Sequence, residues 1–450
     1  MRILITSDWN MCAINGVATS IKNLMYSLRA RGHEVKLLCL SSDHKTRITE
    51  DGWEVASLPA NVVYPGARVR AGLMNRVYDK VIEWGPDIVH SQCEMSTFIM
   101  AHHIAHECDV PIVHTYHTVY EDYTHYVVTG KHLPAGEQRI LLAKKVVAEF
   151  SKLVSGFCCG MIAPTEKVKE LLEGYECKCP LYVVPSGIAL EKFRQKLSLD
   201  ERNEMRQKYG IAEDEIIALY LGRVAKEKNI DEVMKYIADR PEKIKLLVVG
   251  GGPELDNLKE KAEKMNVLDK VVFAGMVDPD DVWKYYQLGD FFTSASTSET
   301  QGLTYIEALS SGLPLLCRKD PCLDDVVEDN VNGCLFTNET EFNKGLDTIL
   351  SIIGSEAYNR KTISESAEKF SRETFASAVE NIYLDMFDEY RRRRNFGENI
   401  KARLQRINEL TRMRWEKVKD NLKSAYDYSS DYGLEENENE SDSDTENKII

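Results

Sequence analysis

The sequence predicts an α/β protein with two doubly wound, Rossmann-like domains and a C-terminal helical extension. Three observations predict it. Short apolar runs alternate with segments of helical spacing over residues 1–187, and the alternation starts afresh at residue 211. The runs end in glycine or polar residues, as strands do where an open parallel sheet meets its ligand crevice. Beyond residue 390 the apolar runs give way to charge, first basic and then acidic.

Composition bounds the answer. With 450 residues, 43% hydrophobic and 29% charged, the chain has material for two or three buried cores. A net charge of −15 argues against nucleic acid as a general partner. No apolar run reaches the roughly 18–20 residues that span a bilayer. The start, MRILITSDWN, reads as a first strand rather than a cleaved leader, so a cytoplasmic protein is expected. The 11 cysteines lack paired CxxC spacing and read as reduced thiols.

Residues 1–8 form the first strand. Asn15-Gly16-Val17 follows, then Ile21, Leu24, Met25 and Leu28 at helical spacing, then the strand 35–40. This β–loop–α–β opening lacks GxGxxG, which disfavours an ordinary dinucleotide site. Gly16 either lets the backbone approach a phosphate or permits the turn. Residues 68–84 read as a helix with Arg68, Arg70, Arg76 and Lys80 on one side. A strand at 86–90 and a helix at 95–107 lead to Pro111–His117. His117 stands at a strand's carboxyl end, ahead of Tyr120, Asp122, Tyr123 and Tyr126.

Residues 136–160 form an amphipathic helix with interleaved lysines, facing either the core or a membrane. Strand 161–163, helix 165–173 and strand 181–184 close the first domain, 1–187. The charged stretch within 188–210 reads as a connection. The second domain, 211–365, has strands at 216–221, 245–249, 271–273, 290–293 and 315–317. GRVAKEKN (222–229) ends its first strand. Arg223 and Lys228 there either neutralise a pyrophosphate or form a solvated charge run. Gly250-Gly251-Gly252 makes a second strand-to-helix turn.

Residues 291–314 read as strand, polar turn and helix, with Glu299 and Glu307 flanking the turn. Gly302 places backbone N–H groups at the helix's positive end, which suits oxygen-rich ligands. The alternative makes the two carboxylates a helix-start charge and a solvated face residue. Residues 366–390 are expected to return as a helix to the first domain. Residues 391–423 hold 12 Lys/Arg against four acids, with apolar residues at helical spacing. This basic amphipathic helix, 391–426, suits an anionic membrane surface or packs on the body. The tail, 427–450, has nine acids and one Lys and reads as disordered.

Gly16, GRVAKEKN, VVGGGPE (248–254) and SETQGLTYIEALSSGLP (298–314) together resemble the retaining GT-B glycosyltransferases of family 4, over about residues 1–390. HTYHTVYEDYTHYV (114–127) is similar to the matching segment of Firmicute diacylglycerol glucosyltransferases. The resemblance implies two domains facing a central cleft, the first on the acceptor side and the second binding the nucleotide sugar. It implies that Arg223 and Lys228 hold the donor diphosphate and that Glu307 bonds the ribose. Glu299, with amides near Gly302 and Leu303, holds the sugar hydroxyls. His117 contacts the sugar at the reacting face, and Gly16 lets its loop approach the phosphates. Asn15, Tyr120, Asp122 and Tyr123 fall on the acceptor side. INGV replaces the GGV of many members, and the 391–450 extension lies outside the family core.

The implied activity is transfer of a hexose, glucose by the resemblance, from a UDP-sugar to a membrane lipid such as diacylglycerol, with retention. The motif offers no carboxylate nucleophile, so front-face attack is expected, with two cations in place of a metal and no cofactor. The expected partners are a nucleotide sugar, a lipid acceptor and the anionic inner face of the membrane. A transferase with a soluble acceptor, a phosphorylase, and a non-catalytic membrane- or partner-binding protein are the competing readings.

Overall fold

The structure, a computed structural model, describes residues 1–60, 68–70, 76–123, 137–355 and 358–395, with 412, 416, 417 and 419. Residues Met1–Tyr390 form one compact unit and Arg391–Ile450 a second. Most of the expected basic helix, 391–426, the whole acidic tail, 427–450, and Tyr126 lie outside the described residues.

The strands form because their side chains are apolar on both faces, as a parallel sheet covered by helices requires. The first sheet comprises β1 (Arg2–Ser7), β2 (Glu34–Leu40), β3 (Arg47–Thr49), β4 (Gly52–Val55), β7 (Ile88–Ser91), β8 (Ile112–Thr115), β9 (Gly160–Ala163) and β10 (Leu181–Val183). Its order is β10-β9-β8-β7-β1-β2-β4-β3, parallel except for β3 against β4. A two-stranded piece, β5 (Leu58–Pro59) with β6 (Arg68–Val69), stands apart. The second sheet comprises β11 (Ile216–Leu221), β12 (Ile244–Val249), β13 (Val271–Gly275), β14 (Phe291–Ser294), β15 (Leu315–Arg318) and β16 (Gly333–Phe336). Its order is β13-β12-β11-β14-β15-β16, all parallel. In each sheet the direction of winding reverses beside the first strand, between β1 and β7 and between β11 and β14. An open α/β sheet binds its ligand outside the carboxyl ends at that place.

The helix Arg372–Asn395 follows a parallel bridge between Ile188 and Ser371. Phe375, Val379, Ile382, Tyr383 and Met386 pack with Ile3, Ile5 and Ile21 of the first lobe. Tyr383 Oη meets His90 Nδ1 at 2.7 Å, and Glu380 pairs with Arg31 and His33. At the crossing a Cβ on Gly187 would lie 2.6 Å from the Arg372 Cα, so only glycine fits.

Two local expectations change. Residues 68–69 are a strand and the described helix is Arg76–Trp84, with 71–75 outside the described residues. The guanidiniums of Arg68 and Arg70 bond the carbonyls of Ser57 and Ala56, which ties them to a loop instead of a solvated helix face. The stretch 188–210, expected as a connection, carries the helices Leu190–Phe193 and Leu199–Lys208. Leu190 and Phe193 enter the second core, and Arg202 pairs with Asp290 at 3.0 Å. Its charges therefore fasten these helices to the second lobe.

Candidate active site

The carboxyl ends of both sheets open onto one cavity of about 1700 Å³. From the second lobe its wall takes Arg223, Lys228, Gly250–Gly252, Glu299, Gly302, Leu303 and Glu307. From the first it takes Asn15, Gly16, Gln92, His117 and Tyr120. The structure thus brings together the candidates read from distant parts of the sequence, apart from Asp122 and Tyr123. Gly16 faces the second lobe across this cavity: a Cβ there would stand 3.8 Å from Leu303 Cδ1.

In the second lobe, β11 and β12 end in loops that run backbone against backbone. Val224 N donates to Gly251 O at 2.9 Å and Gly222 N to Val249 O at 3.0 Å. A Cβ on Gly250 would fall 1.9 Å from Gly222 O, which explains the glycines. Arg223 lies on the cavity wall beside this junction. Lys228 ends the short turn Lys226–Lys228 and donates to Glu299 Oε1 at 2.6 Å. Burial raises the Glu299 pKa, but the Lys228 charge and hydrogen bonds from Lys228 and Ser296 outweigh it, leaving the carboxyl below its ordinary range. Glu299 is therefore an anion.

Gly302, with φ of 74°, precedes the helix Leu303–Ser310. Glu307 sits on that helix, half-buried, and accepts from Tyr286 Oη at 2.7 Å. Burial pushes its pKa up to about 7, against the smaller lowering effects of Tyr286 and Lys192. A carboxylate short of partners on a cavity wall suits a ligand that donates hydrogen bonds.

In the first lobe, His117 Nε2 donates to Gln92 Oε1 at 2.7 Å, since a carboxamide oxygen can only accept. Nδ1 is then the acceptor of a neutral ring. Burial, helped by His114, pushes the His117 pKa down to about 3. Below it, Glu94 accepts from His114 Nε2 at 3.1 Å and from Tyr120 Oη at 2.5 Å. Asp8, at the end of β1, accepts from Thr97 N at 3.0 Å, and burial raises its pKa to about 6. Asn15 caps the helix Gly16–Ala30 by accepting from Ala18 N at 2.8 Å, which gives the INGV departure a structural role. Asp122 and Tyr123 lie in the turn Tyr120–Tyr123, and their side chains are outside the described ones.

The helix Glu137–Phe157 lines the cavity through Leu142, Val146 and Phe150, four residues apart and so on one face. Leu142 is 41% and Val146 52% exposed. Sequence reasoning missed Asp8, Gln92, Glu94 and Gln301. Asp8 and Gln92 follow strand ends directly, which was an available signal; the other two announce themselves only through partners distant in the chain. Among the described residues no three His, Cys, Asp or Glu side chains are grouped to hold a metal ion. All eleven cysteines are free thiols.

Comparison with known proteins agrees with this arrangement. Residues 14–192 match the family model Glycosyltransferase Family 4, and residues 201–370 match Glycosyl transferases group 1. An alpha-monoglucosyldiacylglycerol synthase of Streptococcus pneumoniae is 36% identical over 393 residues, covering 86% of each chain. The chain belongs to the family 4 glycosyltransferases. A second alpha-monoglucosyldiacylglycerol synthase, from Acholeplasma laidlawii, is 31% identical over 409 residues, 88% of this chain and all of that one. Among solved structures, a glycosyltransferase from Rickettsia africae superposes with a TM-score of 0.64 at 16% identity, over 86% of this chain and 98% of that one. Anabaena HepE in complex with UDP-glucose gives 0.62 at 15%, over 86% and 100%. At those identities the likeness is one of fold, and the fold of this glycosyltransferase is GT-B. Among its described residues no helix is long and apolar enough to cross a membrane.

Proposed function

We propose that this glycosyltransferase moves glucose from UDP-glucose to a diacylglycerol-type lipid, with retention, at the inner face of the cell membrane. The observation that carries the reading is the composition of the cleft. One wall is lined by cations and carboxylates; the other meets an apolar helix face on which Leu142 and Val146 are exposed and Phe150 is half-buried. An acyl-glycerol needs that combination, since its hydroxyl must reach a polar centre while its chains remain in apolar surroundings. Support also comes from the two relatives named as synthases of a monoglucosyl lipid.

In the proposed step the acceptor oxygen attacks C1 of the sugar from the face the diphosphate leaves. The C1–O bond breaks with its electron pair going to the diphosphate, and a diphosphate oxygen takes the acceptor proton. Arg223 and Lys228 stabilise the charge that develops on the leaving group, the task a metal performs elsewhere. Anionic Glu299 accepts from sugar hydroxyls, and Glu307 accepts from the ribose. Neutral His117 offers Nδ1 at the reacting face, and Asn15, Gly16, Tyr120, Asp122 and Tyr123 flank the acceptor.

The test is label transfer from UDP-glucose to diacylglycerol in anionic mixed micelles, with and without EDTA, for the wild type and Glu299→Ala. Lipid-soluble α-glucoside formed by the wild type, and reduced about 10²–10³-fold in the variant, is expected. Donor hydrolysis without labelled lipid would overturn the acceptor, abolition by EDTA the metal-independence, and a β-glucoside the stereochemistry.

A further inference from the structure

Three consecutive residues of the loop after β14 are fastened to groups outside the second sheet. Lys167 Nζ, on the first-lobe helix Glu166–Gly174, donates to the Glu299 carbonyl at 3.0 Å. Thr165 Oγ1, which precedes that helix, donates to the Thr300 carbonyl at 2.9 Å. Gln301 makes a paired amide contact with the chain between the lobes: its Oε1 accepts from Ser186 N at 2.8 Å and its Nε2 donates to Ser186 O at 3.0 Å. Ser186 is held in turn by Ser20 Oγ at 2.9 Å, and Gly187 O by Asn23 Nδ2 at 2.9 Å. Ser20 and Asn23 belong to the helix that opens at Gly16. Lys167 also donates to both oxygens of buried Asp320 at 2.8 Å, next to β15.

We propose that Lys167, Thr165 and Gln301 are positioning residues for sugar transfer, through which the first lobe sets the geometry of the donor-sugar loop Glu299–Leu303. The inference rests on the proposed reading that this loop holds the donor sugar. Its physical basis is the division of labour around Glu299. Lys228 of the same lobe neutralises the carboxylate, while Lys167 of the other lobe fixes the backbone from which that carboxylate projects. With the carbonyls of residues 299 and 300 and the side chain of residue 301 all tethered, the loop's position relative to His117 is defined across the cleft. The nucleotide half of the site uses none of these tethers. Tyr286–Glu307 and the glycine junction at 222–252 lie wholly within the second lobe. Sugar recognition and nucleotide recognition are therefore separable, and only the first depends on Lys167.

The test compares UDP and UDP-glucose binding by calorimetry, and transfer kinetics, in the full chain. The variants are Lys167→Met, Lys167→Arg, Lys167→Met with Asp320→Asn, and Glu299→Gln. Lys167→Met leaves Asp320 buried without its cation and lowers the melting temperature; the double variant removes that charge and recovers it. Expected is UDP affinity within about threefold of wild type for the double variant. Its kcat should fall about 10²-fold, as a displacement near 1 Å does, and the added affinity from the glucosyl group should be lost. Lys167→Arg should restore part of both. If the double variant regained kcat along with stability, Lys167 would be a structural link only and the proposal would fail. If Glu299→Gln itself left the UDP-glucose to UDP affinity ratio and kcat unchanged, the loop would not hold the sugar, and the reading beneath the proposal would fall with it.

Discussion

Glu299 and Glu307 are eight residues apart and face opposite electrostatic conditions. Glu299 is held ionised by Lys228, whereas burial pushes the Glu307 pKa up to about 7 against the weaker effects of the Tyr286 hydroxyl and Lys192. A group with a raised folded-state pKa contributes stability that is full below its ordinary value, near 4.5, and lost as pH rises through the folded value. The ligand-free enzyme should therefore lose melting temperature relative to Glu307→Gln as pH rises from 5 to 8. Hydroxyls that donate to the ionised carboxylate reverse the penalty. UDP affinity should rise with pH up to about 7, by at most about tenfold per unit, and then level off. Calorimetry at pH 6, 7 and 8 checks this; an equal slope in Glu307→Gln would remove Glu307 from the ribose site. Both carboxylates were legible because a strand, a polar turn and a helix placed them at a strand-to-helix junction on the carboxyl side of the sheet. Gln301 lies between them yet was not legible as a tether, since its partner Ser186 is 115 residues away in the chain.

At the scale of elements, the central strands were legible because parallel strands covered on both faces read as continuous apolar runs. Strands β3 to β6 read RIT, GWEV, LP and RV, short and without a continuous apolar run to mark them. The strand-end loops were legible as turns, but not the reason for their glycines, which is backbone contact between two loops. That reason makes a contrast. Gly250→Ala places a Cβ 1.9 Å from a carbonyl, whereas Gly210, also at positive φ, has nothing within 4 Å. Gly210→Ala should cost about 1–2 kcal/mol, the left-handed penalty alone. Gly250→Ala should cost about 3 kcal/mol or more and weaken UDP binding, because the loops must part. Denaturant melts of both variants test the difference. The helix Glu137–Phe157 makes a second prediction. Leu142→Asp with Val146→Asp should leave UDP binding and melting temperature within error, since both side chains are substantially exposed. Transfer to diacylglycerol should fall at least about tenfold, because charge replaces the apolar wall along the route proposed for the acceptor. Unchanged transfer would separate the lipid path from this helix.

The whole molecule joins a compact body to an extension of different chemistry. The body ends at Tyr390, whose hydroxyl donates to Asp109 at 2.9 Å, so the first lobe is closed by the chain's return before the extension begins. Residues 391–423 carry a balance of +8, and the last 24 residues carry nine acids against one Lys. The body keeps the remaining negative charge, so by itself it gains nothing from an anionic surface. A chain truncated after residue 390 should therefore melt at the wild-type temperature and bind UDP unchanged, yet sediment less with anionic liposomes. Each Lys or Arg near such a surface contributes about 1 kcal/mol, so losing even three or four of them should weaken liposome binding by more than about a hundredfold. Removing residues 427–450 alone should act in the opposite sense, since it strips acidic charge from beside the basic stretch. Salt separates this from an apolar anchor: at an ionic strength near 1 M the Debye length falls to about 3 Å, and the difference between full and truncated chains should vanish. Equal sedimentation of the two chains at low salt would place membrane attachment in the body, on the exposed face of the helix Glu137–Phe157.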